Sequence, residues 1–253
     1  MPGTGQAARA GRGAPSAPAA RPGQPPCQRA AAGATHRARP SLRVPEPMEH
    51  PIPAAHSEVE LAVLDSPVLA RGLLTSFLLH LAEAGAFDPI WSDQIHAVWA
   101  REALAANPGI PPERIRLRRL DMDRAFPVAN SVASRDALDE VLAHCVAAEE
   151  RRNAHVLATA LSARAAVIVS GESFGLKAVM AKLWHDTAVL TPDLWCLELL
   201  DRRAEAVLEG ARAHRAGLRR GDTSVGAWLA LLAGERARLV LTAKALGGHR
   251  ERL

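Results

Sequence analysis

The residue best placed to do chemistry in this sequence is Asp65, which follows the apolar run of residues 61–64. That run predicts a short buried strand, and in open α/β sheets ligands bind outside the carboxyl ends of the strands. A carboxylate at such a place could hold a metal ion or serve a binding pocket. The alternative role is structural, because an acid after a strand also caps the helix that follows it.

Polar residues in two later segments are further candidates. Asn153 and His155 lie at the start of a helical segment, and Ser170 ends the apolar run of residues 167–169, two positions before Glu172. Ser170 could contact a phosphate or line a pocket, but a Ser after a buried strand also forms local turns. His155 could face a pocket, pack in the core or cap its helix. The sequence contains neither a P-loop nor a G-x-S-x-G nucleophile motif.

Strands and helices that alternate along the chain must position these residues. The apolar runs predict strands at residues 59–64, 90–91, 167–170 and 188–191, and helical periodicity predicts helices at 69–86, 93–106, 111–125, 136–148, 154–164, 174–185 and from 192 onward. Short apolar strands between helices predict an α/β fold with a central, mostly parallel sheet flanked by helices. After residue 201 the predicted strands stop, and helices at 204–219 and 224–246 follow.

Composition divides the chain into three parts. Residues 1–55 hold eleven of the eighteen Pro residues and almost no bulky apolar side chains, so we predict a disordered tail. Met48 offers a second explanation, in which translation starts there and residues 1–47 are not made. The folded parts are then an α/β domain at residues 56–200 and a helical C-terminal extension at residues 201–253.

Charge and cysteine content restrict the function classes. Residues 1–55 carry seven Arg and two acids, so the net charge of +4 leaves the remainder of the chain close to neutral. A nucleic-acid site would therefore have to be a local patch. The three Cys form no C-x-x-C pair, which argues against a zinc site and fits a reducing cytoplasm. We expect no membrane span, because no run of 18 apolar residues occurs.

Several charged residues look like ordinary surface. The basic run Arg114, Arg116, Arg118 and Arg119 could bind RNA, but such runs usually face solvent. Glu149 and Glu150 have the pattern of a solvated helix face. His96 is predicted to be a surface or boundary residue.

Seven sequence fragments occur in an order that resembles one known family. They are V-L-D at 63–65, L-L-H-L-A-E-A-G at 78–85, W-S-D-Q-I at 91–95, R-A-F-P at 124–127, A-H-V-L-A at 154–158, A-A-V-I-V-S at 165–170 and L-T-P at 190–192. Together they resemble the PIN domain, specifically its VapC-like toxin branch. The C-terminal helices look like the extension of that branch.

The resemblance implies a ribonuclease centre in which carboxylates at the sheet edge bind Mg²⁺ or Mn²⁺. Asp65 matches the first acid, and Val98, Asn153 and Gly175 stand where further acids are expected. Glu172 takes the place of an Asn and could approach the metal from a new position. The catalytic set, if active, would be Asp65, Asn153 and Glu172, with Asp65 as the metal ligand. Ser66, Ser170 and His155 would line the pocket.

Three functional hypotheses follow. The first is a PIN-like protein with a degenerate metal site that binds RNA, a small DNA-binding antitoxin or a second copy of itself as a homodimer. The second is an active Mg²⁺- or Mn²⁺-dependent endoribonuclease of a toxin–antitoxin system. The third is an unrelated α/β nucleotide-binding domain.

Overall fold

Four apolar runs of the sequence form the strands of one parallel sheet. The computed structural model describes residues 59–171, 173–183, 185–218 and 223–253. The strands are β1 (Leu61–Leu64), β2 (Asp88–Ile90), β3 (Val167–Val169) and β4 (Ala188–Leu190). Each is three or four residues long and rich in Val, Ile, Leu and Ala, as expected for strands that are covered on both faces. The predicted α/β fold with a mostly parallel sheet is confirmed.

The strand order places a crevice beside the candidate residues. The sheet has the order β2-β1-β3-β4, and all three pairings are parallel. Strand β2 therefore lies on one side of β1, and β3 and then β4 lie on the other side. The connections diverge between β1 and β3, and such a switch point is where open α/β sheets bind ligands.

Helices make up most of the described chain outside the strands. They are α1 (Ser66–Leu69), α2 (Gly72–Glu83), α3 (Asp93–Ala106), α4 (Pro112–Ala125), α5 (Arg135–His144), α6 (Ala148–Arg152), α7 (Ala154–Ala163), α8 (Ser173–Leu183), α9 (Pro192–Arg202), α10 (Ala204–Ala216), α11 (Val225–Ala233) and α12 (Val240–Gly247), with a final 3₁₀ turn at Arg250–Arg252. None of the helices in the described ranges combines the length and apolar composition needed to cross a lipid bilayer.

Three predicted helices differ in extent from the observed ones. The prediction of one helix at 69–86 is wrong at its start, because α1 ends at Leu69 and α2 begins at Gly72. The hydroxyl of Thr75 stabilises this break, because it lies within 3.1 Å of the carbonyl oxygens of Val68, Leu69 and Arg71 and shares its one proton among them. The helix predicted at 136–148 ends earlier, at the last residue of α5, and α6 is a separate short helix that begins at Ala148. The predicted helix at 224–246 divides into α11 and α12 at a turn in which Arg238 has a φ of 58°.

The C-terminal helices pack against the layers around the sheet. Helix α10 lies against α2 and α9, and α12 lies against α9 and α11. The described residues from 59 onward belong to one compact unit. Large buried side chains fill its interior, including Trp91, Trp99, Trp195 and Trp228.

Asp193 joins α9 to the start of α12. Its carboxylate accepts hydrogen bonds from the backbone N–H groups of Leu241 and Thr242 at 2.9 and 2.8 Å, and from the Thr242 hydroxyl at 2.7 Å. No side chain of the residues next to α12 caps this helix locally. The first turn of α12 is thus capped by a carboxylate from another helix. The negative charge of this carboxylate also interacts favourably with the positive end of the helix dipole.

Replacing Asp193 by Ala is expected to lower the free energy of unfolding by roughly 2 kcal/mol, since a charge-assisted cap is lost and N–H donors lose their partner. Limited proteolysis of the full-length chain should show faster cleavage near α12. Glu198→Ala is a matched control, because Glu198 lies on the same helix and makes only an exposed ion pair with Arg202. Equal stability of the two variants would contradict the capping role.

Candidate functional site

Asp65 lies at the switch point between the two central strands. Its backbone N–H donates to the carbonyl oxygen of Val169, which continues the pairing of β1 with β3. Its Oδ1 accepts from the backbone N–H of Ser66 at 2.7 Å, and its Oδ2 accepts from the hydroxyl of Ser170 at 2.6 Å. Asp65 therefore caps α1 and also connects the ends of two strands. Asp65 thus has the capping role considered from the sequence and also lies in a position to serve a pocket.

Burial opposes the charge on this carboxylate. Asp65, Ser66 and Ser170 are each 5% exposed or less. Desolvation raises the pKa of Asp65 above its ordinary value, and the hydrogen bonds from Ser170 and Ser66 offset part of this effect. A carboxylate kept in a poorly solvated crevice at a sheet edge is a typical feature of a functional site.

A cavity of about 640 Å³ opens above Asp65, within the size range of small-molecule sites. Four groups of side chains line it. The buried floor is formed by Asp65, Ser66 and His155, and Pro67 lies beside them. Helix α3 contributes Gln94, Ala97, Val98, Arg101 and Glu102; helix α6 contributes Glu149 and Arg152, and Asn153 follows α6.

His155 presents one ring nitrogen without a hydrogen-bond partner. Its Nδ1 lies 2.9 Å from the carbonyl oxygen of Arg152, and its Nε2 is buried and makes no hydrogen bond to any described residue. Because a carbonyl oxygen only accepts, Nδ1 carries the proton and Nε2 is an acceptor in the neutral ring. Desolvation lowers the pKa of His155, which favours this neutral form.

The positions where the resemblance expects acids can now be located. Val98 and Asn153 line the same cavity as Asp65. Asn153 begins α7, and its side chain makes no capping hydrogen bond. Gly175 lies in α8, where an added Cβ would meet no atom within 4 Å. The structure therefore brings Asp65, Ser66, Asn153 and His155 to one cavity and joins Ser170 to it through Asp65. Glu172 lies outside the described residues.

The described side chains do not fit a bound Mg²⁺ or Mn²⁺. No group of three or more His, Cys, Asp or Glu side chains within the described ranges is arranged to hold a metal ion. A hard dication that dehydrates reluctantly needs more carboxylate oxygens than one acid and one amide provide.

Sequence reasoning missed part of the rim of this cavity. Glu102 and Arg101 project from the helix turn after Val98, and Arg152 precedes Asn153 by one residue. Glu149, which has the sequence pattern of a solvated surface, is exposed but also faces the cavity. The signal that could have found them is helical spacing, since residues 94, 97, 98, 101 and 102 share one face of α3.

The Asp65→Asn variant is expected to match or exceed the wild type in stability at neutral pH, by about 1 kcal/mol. Burial raises the pKa of Asp65, so the folded state binds more protons than the unfolded state between the unfolded and folded pKa values. Ionisation of Asp65 thus costs stability above its folded pKa, and acidification removes that cost. The gain in the Asn variant should shrink as the pH falls.

Urea unfolding at several pH values measures this effect. Asp65→Ala is the control, because it removes the charge and also the cap on Ser66, and we expect it to be less stable than the Asn variant by about 1 kcal/mol. A loss of stability in Asp65→Asn at neutral pH would show that the carboxylate of Asp65 stabilises the folded state and would contradict this prediction.

Comparison of the chain with protein-family models, with curated proteins and with solved structures gave no match. The fold and site define an α/β protein with a parallel sheet and a cavity at its switch point.

Proposed function

We propose that this chain is a PIN-like protein of the VapC toxin type whose metal site is degenerate and which acts by binding rather than by metal-dependent cleavage. The observation that carries the proposal is the cavity above Asp65. It contains the one acid that matches the family pattern, together with Val98 and Asn153 at two positions where that pattern expects acids.

The geometry of the sheet edge supports this assignment. Asp65 follows β1, and Ser170 follows β3 and bonds to it across the switch point. The fragments at 63–65, 91–95 and 154–158 contain or lie close to Asp65, Val98 and Asn153. These three residues line the same cavity. Strand order alone is shared by many functions, so the proposal depends on this convergence of residues.

Binding is favoured by the chemistry of the cavity. Its floor offers a carboxylate and a neutral imidazole, and its rim carries Arg101 and Arg152 beside Glu102 and Glu149. Such a surface suits RNA, which is the ligand we propose, in the cytoplasm. A small DNA-binding antitoxin and a homodimer are the other partners that the resemblance implies.

An active endoribonuclease is the second candidate, and one observation favours it. Glu102 and Glu149 face the same cavity as Asp65, so additional carboxylates could approach a metal ion if the rim moved. The two candidates predict opposite results in a metal titration.

Calorimetric titration of Mg²⁺ and Mn²⁺ into the metal-free full-length chain, with Asp65→Asn alongside, separates them. We expect no saturable binding at millimolar metal ion and no Mn²⁺-dependent cleavage of single-stranded RNA. Saturable binding that disappears in Asp65→Asn would establish a working metal site and overturn the proposal.

A further inference from the structure

Two unlike acceptor side chains, Asp65 and His155, line the floor of the cavity. His155 is 5% exposed, its Nε2 makes no hydrogen bond to a described residue, and the residue lines the cavity. A buried acceptor without a partner is costly, so its free lone pair points to a missing donor. The same floor holds Asp65, also 5% exposed.

The proton on His155 is fixed by the protein and not by the ligand. Nδ1 donates to the carbonyl oxygen of Arg152 at 2.9 Å, so Nε2 is left to accept. Asp65 has accepting capacity as well, because the only hydrogen bond described for its Oδ2 comes from Ser170 and each carboxylate oxygen can accept about two. A ligand that satisfies this floor must therefore carry at least two neighbouring donor groups.

The rim has a different character from the floor. Arg101 and Arg152 are exposed at the mouth of the cavity, together with the carboxylates Glu102 and Glu149, so the rim carries charges of both signs. Guanidinium groups are well suited to hold phosphate oxygens. Donors at the inner end of the ligand and an anion at its outer end would match the cavity from floor to rim.

We propose that this cavity binds a guanine nucleotide, with the base on Asp65 and His155 and the phosphate on Arg101 and Arg152. The inference rests on the proposed function, because a metal ion on Asp65 would occupy the same acceptors. The nucleotide could be free or could be a residue of single-stranded RNA.

The choice of base follows from the hydrogen-bonding edges. Guanine carries adjacent N1–H and N2–H₂ donors on its Watson–Crick edge, the edge that proteins read in an unpaired base. Adenine and cytosine each place a ring acceptor beside their amino group, and uracil has one N–H between two carbonyl acceptors. Each of these three would bring an acceptor against an acceptor on the floor of the cavity. Among the four bases, guanine alone offers two adjacent donors to the acceptors of Asp65 and His155.

The test is titration of the full-length chain with GMP, AMP, CMP and UMP, in EDTA, followed by calorimetry. We expect GMP to bind about 10-fold or more tightly than the other three. Two single-stranded RNAs, an oligoadenylate and the same chain with one guanine, distinguish the sources of the ligand. Preference for the guanine RNA beyond GMP identifies RNA, whereas equal affinity identifies the nucleotide alone, and both results support the site.

Variants separate the contribution of the base to binding from that of the phosphate. His155→Leu should abolish the preference for GMP, and His155→Gln, which keeps an acceptor near the position of Nε2, should retain part of it. Arg101→Ala with Arg152→Ala should weaken GMP but leave guanosine unchanged. Arg135→Ala is the control, because Arg135 is an exposed arginine on α5 that does not line this cavity.

Equal binding of the four nucleotides, or no binding of any nucleotide or RNA, overturns the guanine site. Failure of the proposed function has a different signature, since it appears as Asp65-dependent Mn²⁺ binding in a separate titration.

Discussion

Replacing Gly210 by Ala is expected to lower the free energy of unfolding by about 3 kcal/mol. Gly210 lies in α10 where this helix crosses α2. A Cβ at this position would lie 2.5 Å from the carbonyl oxygen of His80 and 2.8 Å from the Cα of Leu81. Both neighbours are backbone atoms, so no side-chain rotation can relieve the overlap. The two helices would have to separate, and the buried contacts between them would be lost.

Thermal unfolding measures this effect, and Gly226→Ala is a matched control. Gly226 lies within α11, where an added Cβ would meet no atom within 4 Å. Ala is the better helix former, so this variant should be unchanged or more stable by up to about 1 kcal/mol. If Gly210→Ala proved as stable as Gly226→Ala, the close packing of α10 on α2 would be wrong.

The chain is expected to lose stability steeply as the pH falls from 6.5 to 4. His96 and His214 are each 1% exposed, and each ring accepts a hydrogen bond at Nδ1 from a Trp, at 2.8 Å from Trp99 and 3.0 Å from Trp228. Burial lowers the pKa of both histidines to about 4. The unfolded chain therefore binds more protons in this range, and stability falls with pH, by roughly 2–3 kcal/mol for each residue. The contribution is fully present above pH 6.5.

Urea unfolding across this pH range gives the free energy of unfolding as a function of pH. We expect this free energy to depend less steeply on pH in His214→Asn than in the wild type. An Asn oxygen near the position of Nδ1 can still accept from Trp228, although the smaller side chain lowers stability at neutral pH. The raised pKa of Asp65 acts in the opposite direction, so Asp65→Asn should steepen the acid loss. An unchanged slope in His214→Asn would show that His214 does not titrate in this window.

Much of the fold could be predicted from local sequence because the signals were local. Ser92, Thr191 and Ser224 each accept a hydrogen bond from the backbone N–H three residues later, and Ser or Thr before a helix is a local signal of its start. The apolar runs placed all four strands to within a few residues. Gly85 follows α2 closely and has a φ of 80°, a conformation that glycine adopts readily at the end of a helix.

Properties that depend on distant neighbours could not be predicted. His96, predicted as a surface or boundary residue, is buried because Trp99 on the next helix turn and Trp91 enclose it. Arg118, predicted to face solvent with its basic run, donates to the carbonyl oxygen of Leu69 and lies over the ring of Trp99. Neither partner is visible in the local pattern.

The candidate site was predictable in part for the same reason. Asp65 and Ser170 each follow an apolar run, and parallel pairing of β1 with β3 brings them together. The cavity rim depends on how α3 and α6 pack over the sheet edge, which the sequence does not specify. The unpaired Nε2 of His155 emerged only with the hydrogen bond of Nδ1 to Arg152.

The most direct test of the central claim is to restore the missing acids and measure metal binding. In the variant Val98→Asp with Asn153→Asp and Gly175→Asp, calorimetric titration with Mn²⁺ should show saturable binding that is absent from the wild type. Adding Asp65→Asn to this variant should remove the binding, because Asp65 would be a shared ligand. A folded restored variant that binds no Mn²⁺, or a wild type that already binds it through Asp65, would contradict a degenerate metal site at this cavity.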